Sequence, residues 1–234
     1  MDKAVLITGV SSGLGRGLAE EYLERNWTVY GISRRGAGID HERFHEVRAD
    51  LGDLDAIDGV LDSLLDGRKI HLAVLNAGIL GDFKPMPETG IDELRHAMDV
   101  NVWSNKRILD WFARHGAPEQ VVLISSGAAV TGHKGWGTYA LSKAALNMLA
   151  QLYAHDLPGT HLSAFAPGLV HTAMQDHIND KVDAERFPSV KRLKAARGTP
   201  DMPEPREAAR RIARAFDALP GRIDSGGFTD IRQF

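Results

Sequence analysis

Tyr139 precedes Lys143 by four residues and follows Ser126 by thirteen. A phenol and an ammonium at i and i+4 share one helix face, so the cation can draw a tyrosine pKa of about 10 toward working pH and make the phenol a proton donor. A second piece of chemistry stands near the start of the chain. There the apolar run Ala4–Ile7 passes directly into Thr8-Gly9-Val10-Ser11-Ser12-Gly13-Leu14-Gly15. Glycines between a strand and a helix let main-chain N–H groups approach a pyrophosphate, which makes Gly9, Ser11, Ser12, Gly13, Leu14 and Gly15 a candidate dinucleotide cradle. Proton transfer and hydride transfer are then both provided for in one chain.

Two other motifs compete with this reading. Gly9-Val10-Ser11-Ser12-Gly13 also spells the G-x-S-x-G elbow of a serine hydrolase, with Ser11 as nucleophile. Such elbows come after several strands rather than the first, and no ordered acid and histidine partners stand out. His41-Glu42-Arg43-Phe44-His45 matches the H-E-x-x-H zinc pattern, which needs a helix to bring both histidines to one face. Gly36, Gly38 and the strand-like run at Val47 leave little room for one, so no metal is expected.

The elements that must position these groups alternate. Strand-length apolar runs occur at Ala4–Ile7, Thr28–Ile32, Glu46–Ala49, Leu72–Leu75, Val121–Ile124 and Leu162–Ala166. Helical spacing falls between them at Leu14–Arg25, Asp53–Leu65, Ile91–Arg114, Thr138–His155 and Arg206–Ala218. Apolar strands separated by helices predict an α/β fold: a Rossmann-like, doubly wound parallel sheet covered on both faces, with ligands beyond the carboxyl ends of the strands. One catalytic domain is expected over residues 1–234. The stretch 172–205 breaks the rhythm with charges and four prolines, Pro188, Pro200, Pro203 and Pro205, and reads as a substrate lid.

Composition narrows the function classes. The 234 residues are 43% hydrophobic and 25% charged, enough for a full core. The absence of cysteine excludes disulfides, thiolate metal sites and cysteine nucleophiles. A net charge of −3 speaks against a nucleic-acid surface, and the arginines from Arg206 to Arg214 read as a solvated helix face. No signal peptide or membrane-spanning run is apparent, so a cytoplasmic protein is expected.

The whole pattern resembles the short-chain dehydrogenase/reductase family. The matching pieces are Thr8–Gly15, Asp50-Leu51, Asn76-Ala77-Gly78, Asn101, Ser126, Tyr139-Ala140-Leu141-Ser142-Lys143 and Pro167-Gly168-Leu169-Val170-His171-Thr172. The resemblance implies that Asp50 and Leu51 flank an adenine and that Asn76, Ala77 and Gly78 support the cofactor. It also implies that Pro167, Val170 and Thr172 lie at the nicotinamide end, and that Asn101 holds a water linking Lys143 to solvent. Hydride would pass to a carbonyl carbon while Tyr139 gives a proton to its oxygen, Ser126 aligns that oxygen, and Lys143 lowers the tyrosine pKa and grips the nicotinamide ribose. Relatives commonly form homodimers or homotetramers. A cofactor-sensing protein that keeps the fold without turnover is the alternative reading.

Cofactor choice turns on Gly31-Ile32-Ser33-Arg34-Arg35 at the end of the second run. An acid there would hold the 2′-hydroxyl of NAD, whereas Ser33 with Arg34 and Arg35 suits a 2′-phosphate, so NADP(H) is expected. Within the family, Asn76–Asp82, Ala166–Gln175 and Ser225–Asp230 are similar to sepiapterin reductase and bacterial benzil reductases. That likeness implies a vicinal diketone or pterin side-chain carbonyl as substrate. Trp136 and Met174 would lie near it, and Asp230 would anchor a pterin's guanidine-like edge.

Overall fold

A computed structural model describes residues 3–234. Seven parallel strands form one sheet in the order β3-β2-β1-β4-β5-β6-β7. They are β1 Ala4–Thr8, β2 Thr28–Ser33, β3 Phe44–Arg48, β4 Leu72–Leu75, β5 Gln120–Ile124, β6 His161–Ala166 and β7 Phe228–Asp230. Because β1 pairs with β2 on one side and β4 on the other, the strand order reverses beside it. A crevice opens at such a reversal, beyond the carboxyl ends of the strands.

Alternate residues of each central strand enter opposite layers, as the pleat requires. Leu6, Ala73, Leu75, Val121 and Leu123 pack under α2 (Ile57–Leu65), α4 (Ser104–His115) and α5 (Gly137–Asp156). Ile7, Val74, Val122 and Ile124 pack under α1 (Gly13–Glu24) and α8 (Pro205–Ala218). The contact between α1 and α8 is close: a Cβ on Gly17 would stand 2.6 Å from the Pro205 carbonyl oxygen. The opposite side of α8 carries Arg206, Arg210, Arg211 and Arg214 to the surface. Among the described residues no helix is long and apolar enough to cross a membrane.

Several boundaries differ from the sequence pattern. The run Ile91–Arg114 is divided into α3 (Ile91–Met98), a π-helical turn (Asp99–Trp103) and α4. That turn inserts an extra residue where Asn101 bonds out of the helix. The helix predicted from Asp53 begins only at Ile57, after turn residues. The lid stretch contains α6 (Ala173–Lys181) and α7 (Val190–Ala196), which enclose a small core of Ile178, Val182, Phe187, Val190 and Leu193. Leu80, Phe83, Trp136 and Leu169 pack against that core and seat the segment on the body.

Candidate active site

The glycine loop is shaped by close approach. Gly9 and Gly13 have φ of 78° and 57°, which glycine adopts without a side-chain clash. A Cβ on Gly15 would fall 2.3 Å from the Gly9 carbonyl oxygen and 2.5 Å from Asn76 Nδ2. Ser12 begins α1 without a side-chain cap, so the first-turn N–H groups are left for an acceptor from outside. Behind the loop, Thr8 Oγ1 accepts the N–H groups of Asn76 at 2.9 Å and Ala77 at 3.0 Å. Asn76 Nδ2 donates to Thr8 O at 2.9 Å, so β1 and β4 are stitched together where the strand order reverses. This is a cradle of the size and donor type that a dinucleotide pyrophosphate requires.

The carboxyl end of β5 supplies Ser126, whose Oγ accepts the Ala128 N–H at 3.1 Å and keeps its own hydrogen to give. Tyr139 and Lys143 come from the first turns of α5, with Nζ 5.6 Å from the centre of the phenol ring. Lys143 is only 3% exposed and donates to the Ile124 carbonyl at 2.7 Å. Burial pulls its ammonium down to about 8. Burial also pushes the Tyr139 phenol up to about 12, against the opposing pull of the Ser126 hydroxyl. Loss of hydration is the largest influence on the phenol, and the lowering by Lys143 that the spacing predicts is not among its causes here. A phenol held up stays protonated at neutral pH, which is the form a proton donor needs.

One cavity of about 1230 Å³ collects most of the residues singled out from the sequence. Gly9, Ser11, Ser12, Gly13 and Leu14 line it at the loop, and Asn76, Ala77 and Gly78 line it at β4. Ser33, Arg34, Asp50 and Leu51 form the β2 end, and Pro167, Val170 and Thr172 follow β6. Ser126, Tyr139 and Lys143 face the same space, with Trp136, Met174 and Asp230. Arg34 and Arg35 are exposed, while the nearby Glu46 is turned to the Ala37 N–H at 2.7 Å.

Gly15 and Asn101 stand behind the wall rather than in it. Asn101 is fully buried, accepts the Ile79 N–H at 2.8 Å, and spends both amide hydrogens on the Ile79 carbonyl and Ser142 Oγ, each at 2.9 Å. Its main-chain oxygen accepts Asn105 Nδ2 at 2.7 Å. The side chain is a clamp between the loop after β4 and α5. Sequence reasoning quoted Thr8 and this partner Ser142 within motifs but gave them no role, and it passed over the pair Ser125–Asn147 at 2.5 Å. All four are polar residues whose roles come from tertiary contacts.

Asp230 also differs from expectation. Arg232 clasps its carboxylate with Nε and Nη2, both at 2.7 Å, and its main-chain N–H adds a third bond at 2.9 Å. Burial opposes ionisation, yet the Arg232 bonds outweigh it and hold the carboxyl below the usual range. The group is already engaged by a guanidinium, so it is not a free anchor for a second one. The two competing motifs also lack their geometry. Ser11 has no histidine hydrogen bond among the described residues, and His45 lies in β3 rather than one helical turn from His41.

The sequence profile described as short chain dehydrogenase matches residues 3–183. The chain belongs to the short-chain dehydrogenase/reductase family. Its family relatives include a benzil reductase, (S)-benzoin forming, from Bacillus subtilis, 27% identical over 98% of each chain. A sepiapterin reductase from Bos taurus is 31% identical over 81% of each chain. A short-chain dehydrogenase/reductase from Saccharomyces cerevisiae has the same fold, with a TM-score of 0.84 at 24% identity over 98% of this chain and 96% of the other.

Proposed function

We propose that this short-chain dehydrogenase/reductase is an NADPH-dependent carbonyl reductase. The observation that carries the reading is the convergence of Ser126, Tyr139 and Lys143 on the cavity that also holds the glycine loop and Arg34. The nicotinamide, when bound, supplies the hydride. Ser126 donates a hydrogen bond to the substrate carbonyl and fixes its direction. Tyr139, protonated at neutral pH, gives its proton to that oxygen. Lys143, charged below about 8, steadies the phenolate that remains and meets the nicotinamide ribose. Asn101 positions this group from behind, through Ile79 and Ser142.

Arg34 and Arg35 favour the 2′-phosphate of NADP(H), since neither is in an ion pair among the described residues and the acids Glu46 and Asp50 accept main-chain N–H groups, of Ala37 and Gly52 respectively. The lid, residues 172–205, closes the substrate side. A vicinal diketone fits this site better than a pterin, because Arg232 occupies the acid that would hold the pterin's cationic edge. Leu141, Met148 and Leu152 form an exposed stripe along α5, and with Trp103 they give a face on which two copies pair.

The test is incubation with NADPH and a panel of vicinal dicarbonyls, following nicotinamide absorbance. Reduction of a diketone such as benzil to one hydroxyketone enantiomer is the expected result. Cofactor binding with no turnover of any carbonyl would replace the reductase by a sensor, and ester cleavage abolished in Ser11→Ala would replace it by a hydrolase.

A further inference from the structure

The charged groups beneath the lid are unevenly matched. Arg186 pairs with Glu88 at 2.7 Å, Lys191 with Glu185 at 2.9 Å, and Arg197 with Asp180 at 2.8 Å. Arg192 has no such partner among the described residues, and it is the one unpaired lid cation that lines the cavity; Lys181 and Lys194 do not. An unpaired guanidinium beside a cavity is a fork for a planar anion, and carboxylate matches its geometry with two parallel hydrogen bonds.

Its place in the fold directs it toward the chemistry. The Trp136 indole is 6.1 Å from the Tyr139 ring, centre to centre, and donates its N–H to Ser189 Oγ at 2.9 Å. Arg192 lies one helical turn beyond Ser189, so the two share the side of α7 that borders the cavity. The other charges at this end do not cancel it. Asp230 is taken by Arg232, Arg211 donates to the Ile231 carbonyl at 3.2 Å, and Asp201 is the single uncommitted acid. Arg192, Arg211 and Asp201 all line the cavity, so two guanidiniums stand there against one uncommitted carboxylate and the charge balance is positive.

We propose that Arg192 is a specificity-determining residue, and that the substrate is a carbonyl compound with a carboxylate on the arm remote from the reacting carbon. The proposal rests on the reductase reading and adds the substrate class. Binding this arm needs only the ion pair; no bond is made or broken at Arg192.

The experiment compares benzil with benzil-4-carboxylate as substrates of the NADPH-loaded enzyme. The wild type should prefer the carboxylate by about tenfold in kcat/KM, mostly through KM, and salt should erode the preference. Arg192→Gln should remove it, and Arg192→Lys should restore part of it. An equal change on both substrates in Arg192→Gln overturns the proposal, as does a matching loss of NADP+ affinity, which would make Arg192 a cofactor contact. If the wild type reduces neither diketone, the reductase reading fails separately, and calorimetry with benzil-4-carboxylate on the NADP+-loaded protein decides the site. Binding lost in Arg192→Gln sustains the anion subsite; no binding to the wild type overturns it.

Discussion

The two walls of the cavity are built from different forces. The wall that faces the glycine loop is held by buried bonds between side chains and main chain: Thr8 to Asn76 and Ala77, Asn101 to Ile79, Lys143 to Ile124. The lid is held by ion pairs among exposed groups, such as Arg197 with Asp176 and Asp180, over a core of only five buried residues. Buried bonds in a low-dielectric interior are costly to break and nearly indifferent to salt, whereas exposed pairs contribute little and are screened. On the proposed reading, the reacting groups sit on the first wall and the groups that select substrate on the second. Preorganisation serves the chemistry, and a lid can open to release product.

The sharpest way to break this contrast is at the proton donor. Tyr139→Phe keeps the ring on the first wall and removes only the hydroxyl, so NADPH binding should persist while turnover falls by roughly 10²–10⁴-fold. Fluorescence titration with NADPH and steady-state rates test both halves. Retained turnover would remove Tyr139 from the mechanism.

Lys143 gives the next largest effect and a pH signature. Its ammonium is pulled down to about 8, so reduction should fall as pH rises through that value and the cation is lost. Lys143→Ala should remove this limb of the kcat/KM profile and weaken cofactor binding as well. A profile still falling near the same pH in the variant would assign the limb to another group.

Arg34→Ala sharpens the account of the cofactor end. If Arg34 meets the 2′-phosphate, the variant should lose about 1.5–3 kcal/mol of preference for NADPH over NADH. The ratio of the two efficiencies is the measurement. Equal losses with both cofactors would move attention to Arg35, which is equally exposed on the same cavity edge.

How far each wall could be read in the sequence follows from the same contrast. The loop Gly9–Gly15 and the pair Tyr139–Lys143 were legible because their constraints are local: positive φ at Gly9 and Gly13, and an i, i+4 step on α5. The π-helical turn at Asn101 was not, because helical spacing runs through it and its cause is a bond to Ile79, twenty-two residues away. β7 is three residues long, too short to stand out from a loop. The lid helices were hidden by Pro188, which precedes α7 instead of breaking it. The engagement of Asp230 depends on a turn after β7 that folds Arg232 back onto it. The raised Tyr139 pKa was missed because spacing reports a neighbouring charge but not the loss of water around it.

The smallest expected effect lies at the stem of the lid. His171 Nδ1 is 2.6 Å from Glu204 and its Nε2 is 3.2 Å from Asp176, while Arg197 shares Asp176 and also holds Asp180. The main-chain N–H of His171 also donates to the Pro203 carbonyl at 2.9 Å, so the two ends of the lid meet at this residue. The hydrogen bond to Glu204, then that to Asp176, raises the imidazole above its ordinary 6.5. A raised pKa in the folded state means that the stabilisation is complete below 6.5 and is lost as pH climbs through the folded value. Lid closure should therefore weaken from neutral toward alkaline pH. Because the pairs are exposed, the change in local opening should be only on the order of two- to fivefold. Hydrogen exchange of residues 173–204, corrected for the intrinsic pH dependence of amides, should show protection falling over that range in the wild type and a flat profile in His171→Asn. A pH dependence that persists in the variant would show that the lid is held elsewhere, and the five-residue core around Phe187 would then be the element to cut.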